Sequence, residues 1–178
     1  MTLPGHMLDY IATRDHLLMR RVHRWRPPRW FRLWMILATR GGDGWLWYAL
    51  TALVVVFGGA ERYASVGAAW TACSAGAAIF LVLKKTTGRT RPNALVPHCW
   101  ATLLPPDQFS FPSGHTITAF AFTMAVGSFY PHLAGVLLFF ALSVATSRIV
   151  LGMHFLSDVV VGALLGSGLG YAGFVIFT

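Results

Sequence analysis

Residues 148–158 read Arg-Ile-Val-Leu-Gly-Met-His-Phe-Leu-Ser-Asp and place a guanidinium, an imidazole and a carboxylate between two apolar runs. Ionisable groups are costly in that setting and are usually retained for function. His154 and Asp158 are four residues apart, so a helix beginning here sets both side chains on one face within hydrogen-bonding reach. An aspartate bonded to one ring nitrogen fixes the tautomer and leaves the other nitrogen's lone pair to attack an electrophile or bind a metal. Arg148 offers a planar fork of donors suited to phosphate. A membrane-boundary arginine followed by a helix-capping aspartate fits the same residues.

Two further groups carry the same chemistry. Lys84, Lys85, Arg89 and Arg91 close one apolar run, and Pro112-Ser113-Gly114-His115 opens another. Amides at a helix N-terminus, with the Ser113 hydroxyl, would cradle an anion. Ser113 also fits a simple N-cap with His115 incidental, Lys84 and Lys85 fit lysines snorkelling from the end of a span, and Arg91-Pro92 fits an ordinary turn. His98-Cys99 is too sparse a pair to hold a metal without further ligands.

The elements that must position these residues belong to a membrane bundle. Of 178 residues, 56% are hydrophobic and 11% charged, with a mean hydropathy of +0.60, unlike a soluble domain. The net charge of +8 is arranged around apolar runs, and no nucleic-acid motif accompanies it. Anionic lipid headgroups are the expected partners and nucleic acid is not. Residues 8–25 space Leu8, Ile11, Leu18, Val22 and Trp25 helically, with Arg14, Arg20, Arg21 and Arg24 largely elsewhere on the wheel, as in an amphipathic helix of the headgroup layer. Pro27 and Pro28 end it, and a short aromatic piece follows over 30–38. The opening residues lack the charged start and apolar core of a cleavable leader.

Apolar runs over 45–60, 63–83, 113–130, 132–150 and 159–177 are candidate spans, and no β pattern is present. The expected architecture is all-α: an integral membrane bundle of about five transmembrane helices with an N-terminal interfacial helix, divided as residues 1–40 and 41–178. Gly162, Gly166 and Gly170 recur every four residues as a contact face. Residues 84–112 hold five of the nine prolines, and so long a loop is usually functional. Cys73 lies inside a run and Cys99 in this loop, so both are expected as free thiols. Five alternating spans put the loop 84–112 and the link around Gly152 on one side. Lys84, Lys85, Arg89, Arg91, His115, Arg148, His154 and Asp158 therefore meet at one depth, and several fixed cations call for a multi-oxygen anion such as phosphate.

Lys84, six residues and Arg91-Pro92; then Pro112-Ser113-Gly114-His115; then Ser147-Arg148, five residues, His154, three residues and Asp158: in this order and spacing the chain resembles the type 2 phosphatidic acid phosphatase family. That family shares a superfamily with bacterial acid phosphatases, glucose-6-phosphatase and vanadium haloperoxidases. The resemblance implies that His154, oriented by Asp158, attacks phosphorus to form a phosphohistidine. His115 would protonate the leaving oxygen and then activate water. Lys84, Arg91, Ser113, Gly114 and Arg148 would hold the phosphate oxygens, with no metal or other cofactor.

So little chain outside the bundle suits a lipid substrate whose tail stays in the membrane. A bacterial polyprenyl diphosphate, undecaprenyl diphosphate above all, is expected, with phosphatidate, phosphatidylglycerol phosphate and lipid A phosphates as alternatives. Every lysine and arginine except Arg62 falls on the side of the site. Charge bias would put that side in the cytoplasm. The resemblance implies the outer face of the bacterial inner membrane, which is preferred here because phosphate itself demands the site's cations. A phosphotransferase uses the same residues; a lipid transporter or scramblase would not need the His-Asp pair beside an arginine and a second histidine.

Overall fold

The computed structural model describes residues 3–92 and 108–178, and among them the chain is helical with one isolated β-bridge, Thr90 to Phe109. His98, Cys99 and most of the proline-rich loop lie outside the described residues. In chain order the helices are α1 (Leu3–Arg24), α2 (Arg29–Gly42), α3 (Trp45–Phe57), α4 (Arg62–Thr87), α5 (Gly114–Phe129), α6 (Ala134–Val150) and α7 (Leu156–Phe177). Short 3₁₀ turns, Gly59–Glu61 and Pro131–Leu133, lead into α4 and α6.

Local chemistry accounts for the breaks. Pro28 is the extended N-cap of α2, its φ of −63 held by the ring. Gly44 separates α2 from α3 at φ +136, a conformation L side chains rarely adopt. Gly152 (φ +69) ends α6, and the Arg148 carbonyl accepts both the Met153 and the His154 amide at 3.0 Å.

The all-α membrane architecture expected from the sequence is present. Gly59–Thr87 (29 residues), Pro131–Val150 (20) and Leu156–Phe177 (22) are long and apolar enough to cross a membrane. The other two expected spans are shorter, α3 with 13 residues and α5 with 16. At about 1.5 Å per residue α3 covers roughly 20 Å, less than the ~30 Å of hydrocarbon. Helix α5 is enclosed by α4, α6 and α7, and its Ile117, Ala119, Ala121, Phe122, Ala125 and Val126 are at most 1% exposed. A helix sheathed in protein need not match the lipid thickness. Around it, Leu53, Val56, Val136, Leu138, Val160, Leu164 and Ile176 point outward, an apolar girdle suited to acyl chains.

The glycine face of α7 makes this enclosure close. A methyl group added at Gly162, Gly166 or Gly170 would strike the backbone carbonyl of Ser113, Ile117 or Ala121 in turn, so α7 rides directly on the backbone of α5. Trp47 of α3 packs with its ring 5.3 Å from that of Phe122, tilted by 42°, and with Val126, Leu137, Ala141 and Val144 it belongs to the core. The α2–α3 turn, the last turn of α4, the start of α5 and the α6–α7 turn all reach the cavity described below. At the other end, Tyr130 Oη donates to the Gly58 carbonyl at 2.8 Å.

Candidate active site

A cavity of about 340 Å³ lies among the ends of these helices, lined by Lys84, Arg91, Gly114, His115, Arg148 and His154 with Gly42, Asp43, Gly76, Ala77, Phe80 and Thr118. Lys84 is in the last turn of α4, with Nζ 5.1 Å from the Phe80 ring centroid. Gly114 and His115 form the first turn of α5, and Arg148 the last turn of α6. Segments distant in sequence thus bring their cations to one wall.

His154 is 2% exposed. Its Nδ1 lies 2.6 Å from the Ser110 carbonyl, which only accepts, so Nδ1 carries the proton and donates it. Its Nε2 then accepts from Arg91 Nη1 at 3.1 Å, while the same Nη1 donates to the Met153 carbonyl at 2.9 Å. This network leaves Nε2 unprotonated at the cavity wall, its lone pair held by the Arg91 guanidinium. Burial lowers the His154 pKa to about 4; the Asp158 carboxylate opposes that shift, and the Arg148 and Arg91 charges add to it. The ring is therefore neutral, the form a nucleophile needs.

Asp158 differs from the expected arrangement. His154 precedes α7 instead of starting it, so the two side chains do not share a helical face, and Nδ1 is 3.7 Å from Asp158 Oδ2, a charge contact longer than a hydrogen bond. The fully buried carboxylate is instead engaged by the Phe155 amide at 2.8 Å and by Arg89 Nη1 at 2.7 Å. The Ser110 carbonyl does the hydrogen bonding to His154 that the sequence reading gave to Asp158. Ser113 also departs from expectation. Fully buried and outside the cavity lining, its hydroxyl accepts from Thr116 at 2.9 Å and its amide donates to the Asp158 carbonyl at 3.1 Å.

Several residues of the site escaped the sequence reading. Thr39 Oγ1, buried on α2, accepts from Arg148 Nη1 at 2.6 Å. Asp43 Oδ1 accepts from His115 Nε2 at 2.7 Å. Arg89, counted among the converging cations but given no role, bridges Asp158 and Asp15, each at 2.7 Å. Its guanidinium lies 4.3 Å from the Phe155 ring centroid. Asp15 comes from α1, where it also receives the Ser157 amide at 3.2 Å. Around the loop, Arg91 N donates to the Gln108 carbonyl and Ser110 N to that of Arg89, a short ladder that brings Arg91 and Ser110 to His154.

A buried, neutral imidazole thus faces a cavity lined by three cations in a helical membrane protein, and comparison with known proteins gives the family. Residues 65–178 match the PAP2 superfamily model, and the chain belongs to that superfamily. Decaprenylphosphoryl-5-phosphoribose phosphatase of Mycobacterium tuberculosis is 36% identical over 107 residues, 57% of each chain. The chain thus spans just over half the length of that curated relative. Lipid A 1-phosphatase of Rhizobium johnstonii is 27% identical over 152 residues, 74% of this chain and 62% of that one. The crystal structure of Aquifex aeolicus LpxE superposes with a TM-score of 0.74 at 26% identity, covering 89% of this chain and 93% of that one. The PAP2-type phosphatidylglycerolphosphate phosphatase of Bacillus subtilis shares the fold, with a TM-score of 0.71 at 22% identity over 94% and 86% of the two chains.

Proposed function

We propose that the chain is a membrane lipid phosphatase that releases phosphate through a phosphohistidine on His154, with a polyprenyl diphosphate as its preferred substrate. One observation carries the reading: His154 Nε2 faces a cavity whose wall also holds Lys84, Arg91, Arg148, Gly114 and His115.

In the reaction, the Nε2 lone pair forms the N–P bond as the bond from phosphorus to the leaving oxygen breaks. His115 hands its proton to that oxygen. Water then attacks the phosphohistidine, gives a proton to His115, and breaks the N–P bond to leave inorganic phosphate and neutral His154. Arg91, Arg148 and Lys84 hold the non-bridging oxygens while charge redistributes over them, and the Gly114 amide adds a donor at the helix N-terminus. As His154 becomes cationic, the nearby Asp158 carboxylate stabilises it, with Ser110 keeping the ring in register. Arg91 moves its Nη1 donor from Nε2 to a phosphate oxygen as substrate enters.

The lipid class rests on the apolar surroundings and on the relatives. A second cavity of about 840 Å³, lined by Leu46, Leu50, Leu53, Phe57, Phe122 and Val126, runs along the bundle to Gly58 and Tyr130 and offers space for a hydrocarbon tail. The mycobacterial relative is named for a decaprenyl-linked phosphate and the Rhizobium one for lipid A. The site faces outward from a bacterial inner membrane, while α1 lies along the headgroups with Arg14, Arg20, Arg21 and Arg24 toward anionic lipid. A phosphate-release panel of purified protein against polyprenyl diphosphate and monophosphate, phosphatidate, phosphatidylglycerol phosphate and lipid A tests the reading. Release from the polyprenyl diphosphate should exceed the others; no release from any of them would reject the phosphatase.

A further inference from the structure

We propose that Asp43, on the turn between α2 and α3, is a positioning residue for His115: it accepts a hydrogen bond from Nε2–H and keeps the ring ready to act as the proton donor. The proposal rests on the phosphatase reading for the role of His115, and on the structure for the contact.

Three observations converge. First, Asp43 Oδ1 is 2.7 Å from His115 Nε2, and since a carboxylate only accepts, Nε2 donates. Nδ1 is then the nitrogen that exchanges a proton with the leaving oxygen. Second, the approach is built into the backbone. A Cβ at Gly42 would sit 3.2 Å from His115 Cδ2 and 3.0 Å from Val144 Cγ1, so glycine lets the end of α2 close on the ring. Gly44, at φ +136, turns the chain immediately afterwards and leaves Asp43 on the rim. Third, Asp43 contributes the carboxylate of a cavity wall whose other ionisable members are Lys84, Arg91, Arg148, His115 and His154. A negative charge there opposes phosphate binding, so its presence needs a compensating use, and holding an imidazolium supplies one.

The groups facing His115 are Asp43 at the end of α2, with Arg40 a turn earlier at 3.9 Å from it, Arg148 of α6, Arg91 after α4, Lys84 of α4, and His154 from the α6–α7 turn. Lys84, Arg91 and Arg148 share the cavity with the ring, and Asp43 is the counterweight to their charge. This residue lies outside the 65–178 segment that matches the family model. The N-terminal helices are thereby part of the site as well as of its membrane anchorage.

Asp43→Asn, Asp43→Ala and Asp43→Glu in the full chain test this, by turnover and by NMR. Asp43→Asn should lower kcat roughly tenfold or more, since a general acid contributes about 10²–10⁴ and only its tuning is lost. KM and vanadate affinity should stay level or tighten, because an opposing charge has left the anion site. The alkaline limb of the kcat profile should move to lower pH, and Asp43→Glu should recover part of the rate. Independently of turnover, ¹⁵N-labelled histidine, read at a pH where the ring is neutral, should show His115 in the Nε2–H tautomer, becoming a mixture in Asp43→Asn; the resonance is assigned by its loss in His115→Gln. If the wild type releases no phosphate, the phosphatase reading fails, and the tautomer measurement still decides the contact. An active wild type with unchanged kcat and pH profile in Asp43→Asn, a faster variant, or a His115 tautomer indifferent to Asp43 would overturn the proposal. A parallel loss of kcat and vanadate affinity with no pH shift, the mark of a merely structural residue, would overturn it too.

Discussion

Replacing Asp158 by asparagine separates two accounts of how His154 is oriented. In the structure the Nδ1 proton goes to the Ser110 carbonyl at 2.6 Å, while Asp158 acts through its charge at 3.7 Å. Two unit charges at that separation interact by about 4–5 kcal/mol at an effective dielectric constant near 20. Arg89, 2.7 Å from the other carboxylate oxygen, offsets part of that field, so about 2–3 kcal/mol of stabilisation remains for the imidazolium that the proposed attack forms. Asp158→Asn should therefore slow kcat by about 30- to 150-fold, at about 1.4 kcal/mol per factor of ten. The ring keeps its tautomer, so the loss should stay well short of the roughly 10⁴-fold seen when the aspartate of a hydrolase triad alone sets it. Single-turnover release of labelled phosphate from a lipid diphosphate, in detergent micelles at pH 7, gives the number. A loss equal to that of His154→Ala would refute the reasoning and return the orienting role to Asp158.

Other consequences are checked as directly. His154 is held neutral by burial, its pKa down from 6.5 to about 4, so its share of stability is fully present above pH 6.5 and is lost as pH falls from there through about 4. Thermal unfolding in detergent should show that decline, and His154→Gln should flatten it. Thr39→Val removes the acceptor of the 2.6 Å bond from buried Arg148, a loss of about 1–3 kcal/mol, and vanadate should bind roughly tenfold more weakly; unchanged inhibition would separate Arg148 from the phosphate. Gly166→Leu drives a side chain into the Ile117 carbonyl and should destabilise the bundle by about 1–3 kcal/mol or more, whereas Gly168→Leu, with nothing within 4 Å of its Cβ position, should be tolerated.

The convergence of Lys84, Arg91, His115, Arg148 and His154 was legible from sequence because it depends on helix ends, and apolar runs broken by glycine and proline mark those ends. The helical class followed from the same runs. Span lengths were less legible: apolar character does not distinguish a helix that faces lipid from one enclosed by its neighbours, as α5 is. Ser113 reads as an anion donor in a Pro-Ser-Gly-His context, but it is buried outside the cavity lining, where its hydroxyl accepts from Thr116. The Ser110 carbonyl is a backbone group and has no residue signature. Asp15, Thr39 and Asp43 contact partners 72 to 142 residues away through the docking of α1 and α2 on the bundle. A signal for Asp43 existed in Gly41-Gly42-Asp43-Gly44, a carboxylate set in a glycine turn before an apolar run, but nothing local says which histidine it meets.

The covalent intermediate is the point on which the mechanism turns, and rapid quenching with ³²P-labelled lipid diphosphate examines it directly. An acid-labile, base-stable label on the peptide that carries His154, present in the wild type and absent from His154→Ala, is the expected result. Label on any other residue, or turnover with no protein-bound phosphate under conditions that trap it, would contradict the assignment of His154 as nucleophile.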